Sequence, residues 1–233
     1  MLILILAESA LETVPEGLWD HPAVKRHSTR RKKPPKLTIL DRSYHHAAMK
    51  LLKESEKRGR PDIVHFSLLE ALGSPLNREG LLQVYVHTFN DYVISVAPET
   101  RLPRNYERFI GLMEQLFETG KVPQTGQVLL RLERKIMQEL IAEIKPTHVI
   151  AFSRIGSPMI LREVMTKLSA EKRLAAIIGG FPRGHFSQVT TRLANDMVSI
   201  DSQMLETWTV ISRIIYEYER TISLNEKRLK RSS

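Results

Sequence analysis

The sequence predicts an α/β fold, a mostly parallel sheet with helices on both faces. Three observations carry that expectation. The chain opens on Met1-Leu2-Ile3-Leu4-Ile5-Leu6-Ala7, apolar at every position, as a strand covered on both faces has to be. From Val128 onward, short β-rich runs alternate with longer amphipathic ones, and such a succession builds parallel strands joined by crossover helices. With 233 residues and 42% apolar content, the chain can bury a sizeable core as one domain with an elaboration or as two small ones.

The opening run passes straight into Glu8 and Ser9 and has no basic stretch ahead of it, so it reads as a strand and not as the core of a signal peptide. Residues 11–36 are irregular, broken by Pro15, Gly17, Pro22, Pro34 and Pro35. Their second half, Lys25 to Lys33, is a dense basic run, expected as a solvated, mobile arm that touches phosphates if it binds anything. Leu37–Leu40 reads as a short strand. Asp41 or Ser43 can cap a helix from His45 to Lys57, where Ala48, Leu51, Leu52 and Ser55 share a face. Ile63 to Leu72 forms a second apolar helix or a strand–helix unit, stopped by Gly73, Ser74 and Pro75.

Two β-rich runs flank Phe89-Asn90-Asp91 and predict a hairpin over 81–97. Set among alternating elements, it reads as an insertion projecting from the core. A helix follows from Arg101 to Leu116. Strands are then expected at 128–132, 147–152, 174–178 and 197–200, with helices at 135–143, 159–168 and 205–218. The basic tail at 227–231 is expected to fray.

Composition narrows the chemistry. There are 35 Lys+Arg against 26 Asp+Glu, a formal charge of +9, which points to a polyanionic partner, nucleic acid first. Cysteine is absent, which removes disulfides, thiolate metal sites and thiol catalysis together. The eight histidines form no His-x-x-x-His pattern, so no metal is expected. No run approaches the roughly 20 apolar residues of a membrane span, and a cytoplasmic protein is expected.

The stretch with the strongest local signal is Ile177 to Phe186, Ile-Ile-Gly-Gly-Phe-Pro-Arg-Gly-His-Phe. Three glycines and a proline make a shaped loop after a strand. In parallel sheets ligands bind beyond the carboxyl ends of the strands, and the turns Ser153–Pro158 and Asp201–Gln203 fall at such ends too. A dinucleotide fingerprint needs Gly-x-Gly-x-x-Gly opening a helix, and a phosphate loop needs Gly-Lys-Ser/Thr; neither is present.

The runs Arg60-Pro61-Asp62-Ile63-Val64-His65-Phe66-Ser67-Leu68-Leu69, Ser74 to Tyr85 and Arg101 to Met113 resemble the small-subunit ribosomal RNA pseudouridine-N1 methyltransferase family, of the SPOUT, or α/β-knot, class. The glycine loop and the segment Val198 to Leu205 resemble its knot. The similarity spans nearly the whole chain except Lys25–Lys36 and the tail.

The resemblance implies a C-terminal trefoil knot over 145–220 and S-adenosylmethionine as the cofactor. It carries cofactor contacts onto Ser157, Gly179, Gly184, Ile200, Asp201, Ser202, Gln203, Met204 and Leu205, although Ile200–Leu205 departs from the family's usual wording there. It implies that Arg60 contacts the target nucleotide, that Asp62 holds Arg60, and that Arg101, Arg104 and Arg108 contact RNA. Arg104 and Arg108, four apart, are expected on one helical face. The general base stays open between Asp62, whose orienting role comes first, and His65. The resemblance further implies a homodimer acting on small-subunit ribosomal RNA, with ribosome-assembly proteins as further partners; a non-catalytic RNA-binding assembly factor on the same fold is the alternative. Of the glycines, Gly179 and Gly184 are expected to tolerate no side chain and Gly180 to accept alanine.

Overall fold

Strand alternation divides the core into two layers. In β1 (Leu2–Ser9), Leu2, Leu4 and Leu6 face one way and Ile3, Ile5 and Ala7 the other, and all six are fully buried. The computed structural model describes residues 1–231. After β1 come α1 (Pro22–Arg31), α2 (Arg42–Met49), α3 (Pro61–Gly73) and the short α4 (Pro75–Arg78). The middle of the chain holds β2 (Leu82–Thr88), β3 (Tyr92–Val96), α5 (Tyr106–Thr119), β4 (Lys121–Val122), β5 (Leu130–Arg134) and α6 (Met137–Ile144). The last third runs β6 (His148–Pro158), α7 (Leu161–Leu168), β7 (Leu174–Gly179), α8 (Gln188–Leu193), β8 (Asp196–Ser199), α9 (Thr207–Thr221) and α10 (Leu224–Arg231).

The strands form one sheet in the order β4-β5-β3-β2-β1-β7-β6-β8. From β2 to β8 the neighbours are parallel, and the β3-β5-β4 flank is antiparallel. One face packs on α3, α5, α7 and α9 through Leu68, Phe109, Met165 and Ile211, and the other on α6 through Met137, Leu140 and Ile144. This is the architecture expected of the sequence.

Several local expectations are corrected. The hairpin does not project: β2 lies beside β1 in the middle of the sheet, and β3 extends it. Residues 37–40 make only an isolated bridge, Thr13 to Ile39. The helix starting at Asp41, whose carboxylate accepts from the Ser43 N–H at 2.7 Å, stops at Met49. The chain then turns back through a left-handed Glu54 (φ 48°) and delivers Lys57 and Arg58 to the end of β1. There Arg58 meets the buried Glu12 through two hydrogen bonds of 2.7 and 2.6 Å.

The basic run is not a mobile arm. It folds as α1, capped by His21 and anchored by buried Val24 and His27. Arg31 and Lys33 both reach Oε2 of Glu114, a carboxylate only 1% exposed, at 2.9 and 3.1 Å. The tail is helical as well, and Arg228 and Arg231 pair with Glu79. Proline count misled the reading of 11–36, because Pro22 occupies the first helical turn, where its missing N–H costs nothing. Among the described residues, no helix is long and apolar enough to cross a membrane.

Candidate active site

β6, β7 and β8 run parallel, so their carboxyl ends meet on one side of the sheet. The loops there enclose a cleft of about 700 Å³, within the range of about 300–1,000 Å³ usual for small-molecule sites. Its first wall is a bulge in β6. Phe152 and Ser157 both pair with Val198, so residues 153–156 loop out, and Ser153 and Arg154 turn into the cleft. Gly156 makes this geometry possible, since a Cβ there would lie 2.5 Å from the Val198 backbone.

The glycine loop after β7 forms the second wall. Gly184 has φ +102°, a conformation that side chains rarely adopt. A Cβ on Gly179 would meet the Phe181 ring at 2.9 Å, and Phe181 lines the cleft. The expectation that Gly180 accepts alanine is overturned. Its Cβ would fall 2.1 Å from Ser9 Oγ and 2.9 Å from Ser9 Cα, because Gly180 pairs with the end of β1: its N–H donates to the Ala7 carbonyl, and its own carbonyl accepts from Ala10 N–H.

Buried charge holds this loop. Glu8, in a left-handed conformation (φ 51°) at the end of β1, accepts from the Ser187 N–H at 2.8 Å and from Lys57 Nζ at 3.0 Å. Burial works to raise the Glu8 pKa, but the hydrogen bonds from Ser187, Thr190 and Lys57 outweigh it and hold the carboxyl below its ordinary value. The Lys57 ammonium lies 5.0 Å from the Phe181 ring centroid, and its Cε is 3.1 Å from where a Gly184 Cβ would be.

Opposite the glycine loop, Arg60 enters the cleft from the N-terminus of α3. Its guanidinium is clamped by Asp62 through two hydrogen bonds of 2.8 and 2.7 Å, a bidentate geometry that fixes its plane. Those bonds raise the Arg60 pKa above its ordinary value, against the opposing pull of burial. The third wall is the segment after β8. Asp201 is held below its ordinary pKa first by the Gln203 N–H and then by Arg213, so it is an occupied carboxylate. Thr207 Oγ1 donates to the Gly179 carbonyl at 2.9 Å and ties the start of α9 to the end of β7.

The structure thus brings Arg60, Gly179, Gly184, Ile200, Asp201, Met204 and Leu205 to one cleft. Ser157, Ser202 and Gln203 stand on the same segments without lining it, and Asp62 reaches it through Arg60. Arg101, Arg104 and Arg108 lie outside it and are exposed. Arg104 precedes Asn105, the N-cap of α5, so it does not share a helical face with Arg108 as expected. Their loop is pinned to α3: His65 Nε2 donates to the Pro103 carbonyl at 2.7 Å, and the His65 ring stacks on Phe109 with centroids 4.3 Å apart. His65 is 1% exposed and belongs to this packing, away from the cleft.

The site's relatives are consistent in kind. A sequence model of the EMG1/NEP1 methyltransferase family matches residues 4–219. The chain belongs to the EMG1/NEP1 methyltransferase family. It is 48% identical over 224 residues to the ribosomal RNA small subunit methyltransferase Nep1 of Thermococcus kodakarensis, covering 96% of this chain and 100% of that one. With the Nep1 of Pyrococcus furiosus it shares 50% over 218 residues, 94% of this chain and 96% of the relative. Among solved structures, Archaeoglobus fulgidus Nep1 bound to S-adenosylhomocysteine superposes with a TM-score of 0.84 at 38% identity, over 94% of this chain and 98% of that one.

Within the EMG1/NEP1 fold of this chain, the sequence reading marked the segments that hold Phe181 and Arg154 without naming either as a site residue, and missed Glu206 and Thr207 altogether; all four are in the cleft wall. Glu206 carried no signal in the sequence: it stands at the N-cap of α9 and makes no side-chain capping bond there, which only the structure shows. Arg154 stands in the Ser153–Pro158 turn already marked by its place at a strand end, but the bulge that turns it inward depends on the register of β6 against β8.

Proposed function

We propose that the cleft binds S-adenosylmethionine and that the chain methylates N1 of a pseudouridine in small-subunit ribosomal RNA, in the course of small-subunit biogenesis. The observation that carries this reading is the convergence of the glycine loop, the 200–205 segment and Arg60 on one cleft. The residues suit the cofactor. Ile178, Ile200 and Leu205 offer apolar surface for an adenine ring, the loop backbone offers hydrogen bonds, and Glu206 offers a carboxylate for the cationic end. When bound, S-adenosylmethionine supplies an activated methyl group, so the chain has only to align the acceptor nitrogen and accommodate one proton. N1 is free in pseudouridine, whose sugar is attached through carbon, and blocked in uridine.

On this reading Arg60 orients the target nucleotide and Asp62 orients Arg60, while Arg101, Arg104 and Arg108 hold the flanking RNA by its phosphates. Ser157, Ser202 and Gln203 join the cofactor contacts through their backbone. The chain acts as a single SPOUT domain over 1–233, its 145–220 part tied as a trefoil knot, in the cytoplasm and alongside ribosome-assembly proteins. It works as a homodimer, which is supported by the exposed apolar side chains of Ile155 (59%), Ile160 (63%) and Met204 (66%) on the segments bordering the cleft. Sedimentation at micromolar concentration should give twice the 26.8 kDa chain mass; a monomer contradicts that part.

The division of the site is testable by calorimetry with S-adenosylhomocysteine and by anisotropy with a labelled RNA hairpin. Arg60→Ala and Arg104→Ala should each weaken RNA binding about tenfold, the loss of one charge-assisted contact of about 1.5 kcal/mol. Cofactor affinity should stay within about twofold in both, because neither change touches the glycine loop or the 200–205 segment. A matching loss of cofactor affinity in either variant would show that the cleft is divided otherwise.

A further inference from the structure

Helix α1 carries more positive charge than the fold uses. Three cations in and just after it are accounted for: Arg31 and Lys33 on buried Glu114, and Lys25 in an exposed pair with Asp20. Arg26, Arg30, Lys32 and Lys36 are exposed, and among the described residues none of them forms an ion pair with a carboxylate. A basic last turn favours the helix dipole, which accounts for Arg30 but not for Arg26 or for Lys36 beyond the helix.

The helix is also held rigidly. His27 stacks on Tyr44 with centroids 4.2 Å apart, and its Nδ1 lies 2.9 Å from His45 Nε2. Arg30 is laid over the Tyr44 ring, its Cζ 4.9 Å from the centroid. Tyr44 in turn donates to Glu107 at 3.2 Å, and Arg31 lies 3.8 Å from the same carboxylate. Glu107 sits in the first turn of α5, next to Arg108. Through Tyr44 and Arg31 the surface of α1 that carries Arg30 is tied to Glu107 at the start of α5, and no large apolar side chain is exposed between residues 21 and 36.

We propose that Arg26, Arg30, Lys32 and Lys36 form a second phosphate-binding platform, which holds the stem of an RNA hairpin whose loop is presented to the cleft. This rests on the RNA-methyltransferase reading. Arg26 and Arg30 stand one turn apart, about 6 Å along the axis, on a helix already ordered before RNA arrives. Cations so placed read backbone and shape, which is how duplex RNA is recognised. A charged face with no apolar centre suits RNA better than an acidic protein, whose interface would call for one.

The test uses the full chain and the variant Arg26→Gln/Arg30→Gln/Lys32→Gln/Lys36→Gln, with thermal melting and S-adenosylhomocysteine calorimetry as folding controls. Two RNAs are titrated across salt concentrations, a hairpin with a stem of about ten base pairs and its loop as an isolated single strand. Expected is a loss of about 10- to 100-fold for the hairpin, with the slope of log affinity against log salt falling by about 3, while loop-strand and cofactor affinities hold. Equal losses on both RNAs, or an unchanged hairpin slope, overturn the proposal. So does retention of RNA affinity with a loss of polyglutamate binding, which would assign the face to an acidic protein. Failure of the unaltered chain to bind either RNA would defeat the methyltransferase reading itself and the platform with it.

Discussion

Lys57→Met is expected to unfold about 10 °C below the unaltered chain, and to bind S-adenosylhomocysteine about tenfold more weakly. The side chains of Lys57 and Glu8 are 9% and 10% exposed. Removing the ammonium leaves a buried carboxylate without its counter-charge, which typically costs about 3–5 kcal/mol. In a chain of this length each kcal/mol moves the midpoint by about 2–4 °C. The cofactor effect follows from position, since the same side chain sets its ammonium over Phe181 and its methylenes against Gly184 in the glycine loop. Replacing both partners should hurt less than replacing one, so Glu8→Gln/Lys57→Met should recover part of the loss.

The pH dependence has a definite sign. The Glu8 pKa is lowered in the folded chain, so the pair stabilises above the ordinary carboxylate range and this contribution fades as pH falls through the depressed value. The deficit of Lys57→Met relative to the unaltered chain should therefore be largest near neutrality. It should narrow on acidification towards about pH 4, where the variant's unpaired carboxyl takes up a proton. A constant deficit across that window would remove Glu8 from the explanation.

Gly180→Ala is expected to cost about 3 kcal/mol, the upper end of overpacking, and to lower the melting midpoint by about 6–12 °C. The added methyl would overlap Ser9 at its backbone Cα as well as its hydroxyl, and Ser9 cannot retreat without loosening β1 from Gly180. Ser9→Gly in the same chain should restore most of the stability, because it removes the Oγ and Cβ in the way and makes the backbone more pliant. Gly180→Ala melting within about 1 °C of the unaltered chain would show that the two loops separate easily.

The layered sheet was legible because β1 and β7 are apolar at consecutive positions and α5 and α9 keep a clear helical stripe; these signals are local. The site was legible only in its chain segments. The residues themselves marked only the glycine loop and the turns at strand ends; Gly179, Gly184, Ile200–Leu205 and Arg60 with Asp62 could be named as site residues from the family resemblance alone. What decides whether they meet is pairing across the sheet. The packing of Gly180 on Ser9 joins residues far apart in the chain, and no local pattern marks which of two adjacent glycines lines the cleft and which faces β1. The same holds for Arg154, turned inward by an offset of β6 against β8. The basic stretch was misread for a different reason. Its order comes from Glu114, whose burial on α5, 83 residues beyond Arg31, draws Arg31 and Lys33 into place.

Whether the cleft performs methyl transfer is decided by incubating the chain with methyl-labelled S-adenosylmethionine and two RNA hairpins identical except for one loop position, pseudouridine in one and uridine in the other. Label should enter the pseudouridine hairpin alone, because N1 is available only there, and Arg60→Ala should reduce that incorporation. Equal incorporation into both hairpins, or none into either, would contradict methylation at N1 of pseudouridine.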